Sequence, residues 1–166
     1  GDAACLVNPI HGGGIGPSML SGYLVGRTIV EAFEKDDVNK KHLWPLNIRY
    51  NELYGAKQAS LDIFRMLLLT SSDHDLNFGM NYQLLKEEDV LKAGLGDDFH
   101  LNITETARRV FKGLRNLRFL NRLRLTVKTM KQVRAHYKTY PETPEDFEKW
   151  RRQTVSLFKD AKSKIV

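Results

Sequence analysis

Cysteine, long apolar runs and clear strand patterns are all scarce in this sequence, and each shortage limits what the chain can be. Cys5 stands alone, so a disulfide within the chain is impossible and a reducing compartment is expected. No apolar run reaches the roughly 18 residues that would predict a membrane-spanning helix. The best strand candidates, Ile48–Tyr50 and Phe99–Leu101, are short and weak. We therefore expect a mainly α-helical chain.

Acidic residues are missing from Thr106–Pro141, a stretch that contains eleven lysines and arginines. Residues 1–100 carry 9 basic and 14 acidic side chains, whereas residues 101–166 carry 17 and 6. Three interpretations of the basic stretch Arg108–Lys138 stay open: a solvated helix face, a docking surface for anionic lipid headgroups or for the polar end of a lipid substrate, and a nucleic-acid-binding surface. Nucleic acid is the least favoured, because the stretch contains no recognition motif and no aromatic platform.

What is abundant at the N-terminus is glycine. Three consecutive glycines, Gly12–Gly14, follow Pro9 and precede a helical pattern. A flexible loop that feeds a helix N-terminus presents free N–H groups at the positive end of the helix dipole, and this arrangement favours anions. Within the loop we expect Cys5 to be a small buried residue. We expect His11 to be bonded to the backbone rather than to act as a proton donor.

Apolar periodicity predicts a helix over Gly14–Phe33 and further helical structure over Pro45–Thr70. Between Thr70 and the basic stretch we predict a loop or a helix cap rather than a metal site at Ser71–Asp75, a turn at Asn77–Met80, a short helix over Leu84–Gly96, and a capping box at Asn102–Glu105. The basic stretch then continues as one helix or as two helices broken within Gly113–Asn121. A final helix is predicted to start around Thr143 and Pro144.

The N-terminal stretch GDAAxxVNPxxGGGI resembles the second flavin-binding motif of the FAD enzymes that include p-hydroxybenzoate hydroxylase-like proteins and geranylgeranyl reductases. In that family the aspartate carboxylate binds the ribityl chain, and the proline and glycine loop lie along the isoalloxazine edge. The next helix packs on the sheet beneath the flavin, with its N-terminus towards the cofactor. The resemblance implies FAD-binding roles for the matching positions, which are Gly1, Asp2, Pro9, Gly12, Gly13, Gly14 and Ile15.

Within that family the motif looks most like the archaeal geranylgeranyl reductases. The resemblance implies an FAD-dependent reductase that saturates isoprenoid double bonds of polyprenyl lipids, cytoplasmic and peripheral at the inner membrane face. Residues 1–35 would be a piece of the FAD-binding domain and residues 36–166 a helical C-terminal region. No catalytic residue can be assigned from the sequence, and no metal site is expected.

The Gly-Asp pair stands at residue 1, and no strand, GxGxxG turn and helix precede it. We therefore expect the chain to be the C-terminal part of a longer enzyme, inactive alone and unable to retain FAD. We also expect an apolar face around Ile15, Met19 and Leu20, covered by the missing half, a symmetry mate or a rearranged terminus.

Two alternatives remain open at this point. The first is a fragment of a flavin monooxygenase or halogenase of the same superfamily. The second is a non-enzymatic basic helical module that binds anionic lipid or nucleic acid.

Overall fold

The computed structural model describes residues 2–82, 84 and 116–166, and these residues form helices without any strand. The predicted mainly α-helical class is confirmed, and Ile48–Tyr50 is helical rather than extended. The helices are α1 (Ile15–Glu34), α2 (Lys40–Leu43), α3 (Pro45–Tyr50), α4 (Ala56–Thr70), α5 (Asp73–Asn81), α6 (Leu117–Lys138) and α7 (Phe147–Ile165).

Helix α1 matches its prediction within one residue at each end, and Asp36 (φ 51°) turns the chain away after it. One side of α1 is buried and packs on α3. Arg49 of α3 fastens this contact: its Nη2 lies 2.6 Å from Oε2 of Glu31, and its Nη1 donates to Oγ1 of the buried Thr28 at 3.3 Å.

The opposite side of α1 is its more apolar side, and it is exposed. Ile15 is 81% exposed, Met19 72% and Phe33 67%. A Cβ built on Gly22 or Gly26, in the middle of this stripe, meets no atom within 4 Å. We call this surface the α1 apolar face; it comprises Ile15, Met19, Gly22, Gly26, Ile29, Val30 and Phe33. The expected apolar face around Ile15 and Met19 is therefore present, whereas Leu20 is only half-buried beside it.

The predicted helical region Pro45–Thr70 is helical throughout but contains a π-turn, Asn51–Gly55, between α3 and α4. Pro45 occupies the first turn of α3, as its missing N–H favours. Gly55 is buried, and a Cβ there would lie 2.6 Å from Oδ1 of Asn51. The π-turn therefore depends on a residue without a side chain at this position.

Helix α5 confirms one prediction and overturns another. Ser72 caps it, and its Oγ accepts from the Asp75 N–H at 3.2 Å, as the predicted cap requires. The turn predicted at Asn77–Met80 is wrong, since these residues continue the helix. Buried Phe78 packs on Tyr82 and Phe119 with ring centroids 4.7 and 6.2 Å apart, so tertiary packing holds Gly79 in helical form.

The core lies where α4, α6 and α7 meet. Its fully buried side chains include Ile63, Phe64 and Leu67 of α4, Phe119 and Val133 of α6, and Ile165 of α7. Helix α6 begins within the predicted break region, and Asn116 caps it by accepting from the Phe119 N–H at 3.1 Å. The final helix is present, but a 3₁₀ turn, Pro144–Asp146, precedes it, so α7 begins at Phe147 rather than at Pro144, and Thr143 makes no side-chain capping hydrogen bond.

Several sequence predictions lie outside the described residues: the helix over Leu84–Gly96 apart from Leu84 itself, the strand candidate Phe99–Leu101, the capping box Asn102–Glu105, and the part of the basic stretch before Asn116. Among the helices that are described, none has the length and apolarity needed to cross a membrane.

Candidate functional site

The glycine loop before α1 is a closed loop. The Asn8 N–H donates to the Gly13 carbonyl and the Gly12 N–H donates to the Asn8 carbonyl, both at 3.0 Å. The side-chain Oδ1 of Asn8, a residue only 1% exposed, accepts from the Ile10 N–H at 2.9 Å. Asn8 thus organises the loop through its backbone and its side chain together.

The loop requires glycine at positions 12 and 13 for two different reasons, a backbone angle and a close contact. Gly12 has a φ of +72°, which side chains disfavour. The Gly13 N–H donates to Nδ1 of His11 at 3.0 Å, and a Cβ on Gly13 would come within 2.5 Å of the His11 ring. The prediction that His11 is bonded to the backbone is confirmed.

Helix α4 holds the loop from below through Gln58. The buried Gln58 donates from Nε2 to the Leu6 carbonyl and accepts at Oε1 from the Tyr50 hydroxyl at 2.8 Å. Burial raises the pKa of Tyr50 to about 12, with a smaller contribution from Tyr54, so the phenol keeps the proton that it donates. Sequence reasoning missed both residues, because a glutamine and a tyrosine in a helical run give no sign of facing a loop 52 residues away.

The N-terminus of α1 follows the loop directly. The first backbone N–H groups of the helix donate no hydrogen bond within the described part of the chain. Gly14 caps α1 without a side-chain hydrogen bond, and its carbonyl accepts from the Ser18 N–H at 2.9 Å. Among the described residues, no acceptor takes the N–H groups of Ile15 and Gly16. No acidic side chain lies in the first turn, so the positive end of the helix dipole is not neutralised there.

A pocket of about 620 Å³ opens beside this helix end. Its lining comprises residues 11–17 with Leu20 and Tyr54, a residue of the π-turn. The structure thus gathers four of the seven predicted site residues, namely Gly12, Gly13, Gly14 and Ile15. Tyr54 is an addition that the sequence did not indicate.

The other predicted site residues lie elsewhere or outside the described part. Pro9 lines a second pocket, of about 410 Å³, on the Tyr50 and Gln58 side of the loop. Gly1 and the side chain of Asp2 are not among the described residues; the backbone of Asp2 belongs to a short 3₁₀ turn, Asp2–Ala4.

Cys5 departs from its prediction. We expected a small buried residue, but Cys5 is exposed and has a positive φ of 56°. It lines the second pocket, where the chain turns between the 3₁₀ turn and the loop. The turn presents the thiol to solvent because Gln58 draws in the carbonyl of the next residue, Leu6, instead.

His74 and its acidic neighbours form a helix start. Nδ1 of His74 lies 4.0 Å from Oδ1 of Asp75. Across residues 2–82, 84 and 116–166, no group of three His, Cys, Asp or Glu side chains is placed to hold a metal ion.

The chain is similar to several archaeal proteins that share the name digeranylgeranylglycerophospholipid reductase. The chain is 44% identical over 157 residues to the digeranylgeranylglycerophospholipid reductase of Sulfolobus acidocaldarius, covering 95% of the chain and 35% of that protein. It is 29% identical over 110 residues to digeranylgeranylglycerophospholipid reductase 2 of Methanopyrus kandleri, covering 66% and 26%. With the reductase of Methanothrix thermoacetophila it shares 33% identity over 95 residues, covering 57% and 24%.

No protein-family model matches the chain. The chain spans about a third or less of the length of these relatives, so their names describe proteins longer than the part that it matches. The similarity to the Sulfolobus acidocaldarius protein nevertheless covers nearly all of this sequence. Over nearly all of its length, the chain is therefore similar to about a third of that archaeal reductase.

Proposed function

We propose that this chain supplies the flavin-loop portion of an FAD-dependent reductase that saturates the geranylgeranyl chains of membrane lipids. The observation that carries the proposal is the closed loop that delivers Gly12–Ile15 to the open end of α1. We infer the lipid substrate from the names of the relatives, and we infer the cofactor from the resemblance of the loop to a flavin-binding motif.

The loop has the donor set that a flavin edge requires. The N–H groups of Ile15 and Gly16 point out of the helix end without an acceptor among the described residues. These donors and the positive helix end favour negative charge on a bound ring, while Leu20 and Tyr54 provide apolar lining.

Bound FAD would supply hydride equivalents for reducing a carbon–carbon double bond. This chain's own part is to position the ring. Gly12 permits the turn, Asn8 closes the loop, and Gln58 with Tyr50 fixes the loop on α4. The α1 apolar face would pack against the remainder of the flavin-binding domain, whose counterpart lies in the part of the relatives that this chain does not span.

A chimera tests the proposal: this chain replaces the matching segment of the Sulfolobus acidocaldarius protein. We expect the chimera to purify with flavin, measured by visible absorbance, and to reduce the double bonds of digeranylgeranylglycerophospholipid, measured by mass spectrometry. Gln58→Leu in the chimera should weaken flavin binding by about tenfold, the scale of one lost buried hydrogen bond. Gln153→Leu, the same change at an exposed site on α7, is the matched control and should have no effect.

A folded chimera without flavin would contradict the loop assignment. A flavin-loaded chimera that leaves the lipid unreduced, while the parent relative reduces it, would contradict the substrate assignment. Equal flavin loss in the Gln58→Leu and Gln153→Leu variants would contradict the positioning role of Gln58.

A further inference from the structure

Helix α6 carries a row of cations along its solvent side. Arg124, Lys128, Lys131 and Lys138 are all exposed. Their spacings of four, three and seven residues place them within roughly 80° of the helix circumference, since each residue advances by about 100°. The row spans about 21 Å along the axis at about 1.5 Å per residue. We call these four residues the basic stripe.

The charge of the basic stripe is not compensated nearby. Helix α6 contains no acidic residue, and within the described residues none of the four cations forms an ion pair. Some exposed cations elsewhere in the chain do pair, namely Arg27 with Glu31, Arg151 with Glu148, and Lys164 with Asp160. The stripe therefore presents a linear positive field towards solvent.

The residues between the cations point to one kind of partner. The exposed neighbours on this side, Asn121, Gln132 and Ala135, include no aromatic ring on which a nucleic-acid base could stack. Between Arg124 and Lys138 they include no large apolar side chain that could enter a lipid bilayer, whereas Leu117, about two turns before Arg124 on the same side, is 62% exposed. Three of the four cations are lysines, which act as compact point charges and suit a diffuse array of phosphates.

We propose that the basic stripe docks the protein on a membrane surface of anionic phospholipid headgroups, by electrostatic attraction and without insertion. The choice of lipid rests on the proposed function, because a reductase of membrane lipids must meet its substrate at such a surface. Part of the same acid-free stretch, before Asn116, lies outside the described residues and is not needed for the docking surface.

Vesicle co-sedimentation of the purified 166-residue chain tests this inference. The probes are vesicles of equal parts phosphatidylglycerol and phosphatidylcholine, and vesicles of phosphatidylcholine alone. We expect binding to the anionic vesicles only, and loss of that binding in high salt, where screening acts within a few ångströms. The variant Arg124→Gln/Lys128→Gln/Lys131→Gln should bind on the order of 100-fold more weakly.

A matched triple variant on α7, Arg152→Gln/Lys159→Gln/Lys162→Gln, removes the same charge from a different exposed surface and should bind nearly as well as wild type. Far-ultraviolet circular dichroism checks that both variants fold. Equal weakening by the two variants, equal binding to both vesicle types, or no binding at all would overturn the proposal. So would stripe-dependent binding of single-stranded RNA without vesicle binding.

The two proposals fail separately. A chimera without flavin leaves vesicle binding through the stripe intact, whereas loss of vesicle binding leaves the flavin content of the chimera unchanged.

Discussion

His136 illustrates how one titratable side chain ties two helices together. Its ring stacks on Trp150 with the planes 9° apart and the centroids at 4.9 Å, and its Nε2 lies 2.8 Å from Oγ1 of Thr154. The Trp150 Nε1–H donates to the His136 carbonyl at 3.2 Å. Burial lowers the pKa of His136, and the contact with Trp150 opposes that shift only in part.

This shift predicts a stability that depends on pH. In the unfolded chain His136 takes up a proton near its ordinary pKa of about 6.5, whereas in the folded chain it stays neutral to lower pH. The contribution is therefore fully present above about pH 7 and is lost as the pH falls below about 6.5. Urea unfolding followed by circular dichroism at a series of pH values measures it.

The variant His136→Gln should flatten the dependence of unfolding free energy on pH in that window. His74→Gln, at a largely exposed histidine, should leave the dependence as in wild type. An unchanged slope in His136→Gln would show that other groups control the acid limb.

At the scale of elements, Arg122 joins the ends of three helices. Its Nε donates to the Ile165 carbonyl of α7 at 2.9 Å, and its Nη2 donates to Oγ1 of Thr70, at the end of α4, at 2.6 Å. Its Nη1 lies 3.9 Å from a carboxylate oxygen of Asp75 in the first turn of α5. Burial would raise the pKa of Asp75, but hydrogen bonds from Asn116 and Ser72, together with Arg122, outweigh it and lower that pKa.

Replacing Arg122 should therefore loosen these helix ends together. The Arg122 side chain is only 15% exposed, and Arg122→Met keeps its apolar stem while leaving two helix-end carbonyls and Asp75 without their partner. We expect a loss of about 2–4 kcal/mol in unfolding free energy, measured by urea titration.

Arg124→Met, two residues away on the exposed side of α6, is the control and should change stability by less than about 0.5 kcal/mol. A loss in Arg122→Met no larger than this would mean that water replaces its hydrogen bonds at little cost.

Periodicity and caps located α1, α7 and the long run Pro45–Thr70, because these depend on neighbours within one or two turns. The same local rules failed at Gly79, where packing of Phe78 against Phe119 outweighs a glycine's preference for a turn. The role of Arg122 could not be predicted from local sequence patterns, because its hydrogen-bond partners lie 43 and 52 residues away in the chain.

At the scale of the whole molecule, large apolar side chains are buried where α4, α6 and α7 meet but exposed along one side of α1. The core of α4, α6 and α7 is buried, whereas the α1 apolar face stays exposed and has open space at Gly22 and Gly26. The loop motif predicted residues that line the pocket at the end of α1, but Gln58 of α4, which anchors the loop, and Tyr54 of the π-turn, which also lines the pocket, lie outside any motif.

The isolated chain should not retain FAD, although its fold should persist. On the proposed function it offers donors for one edge of the flavin only, and its sequence contains no GxGxxG turn of the kind that binds the nucleotide. Purification followed by visible absorbance checks this, with circular dichroism as the check on folding. Stoichiometric flavin on the pure chain would contradict the expectation and would place the whole cofactor site within these 166 residues.

The π-turn Asn51–Gly55 has a consequence for how this site can change over time. It adds one residue to a helical rod, and one residue corresponds to about 100° of rotation. This phase offset lets Tyr50 reach Gln58 beneath the loop while Tyr54 lines the pocket at the helix end. Deletion of one residue from the π-turn would restore a regular helix and change the orientation of Tyr50 relative to Tyr54. The two tyrosines could then no longer support the loop and line the pocket at the same time, although Gly12 and Gly13 would be unchanged.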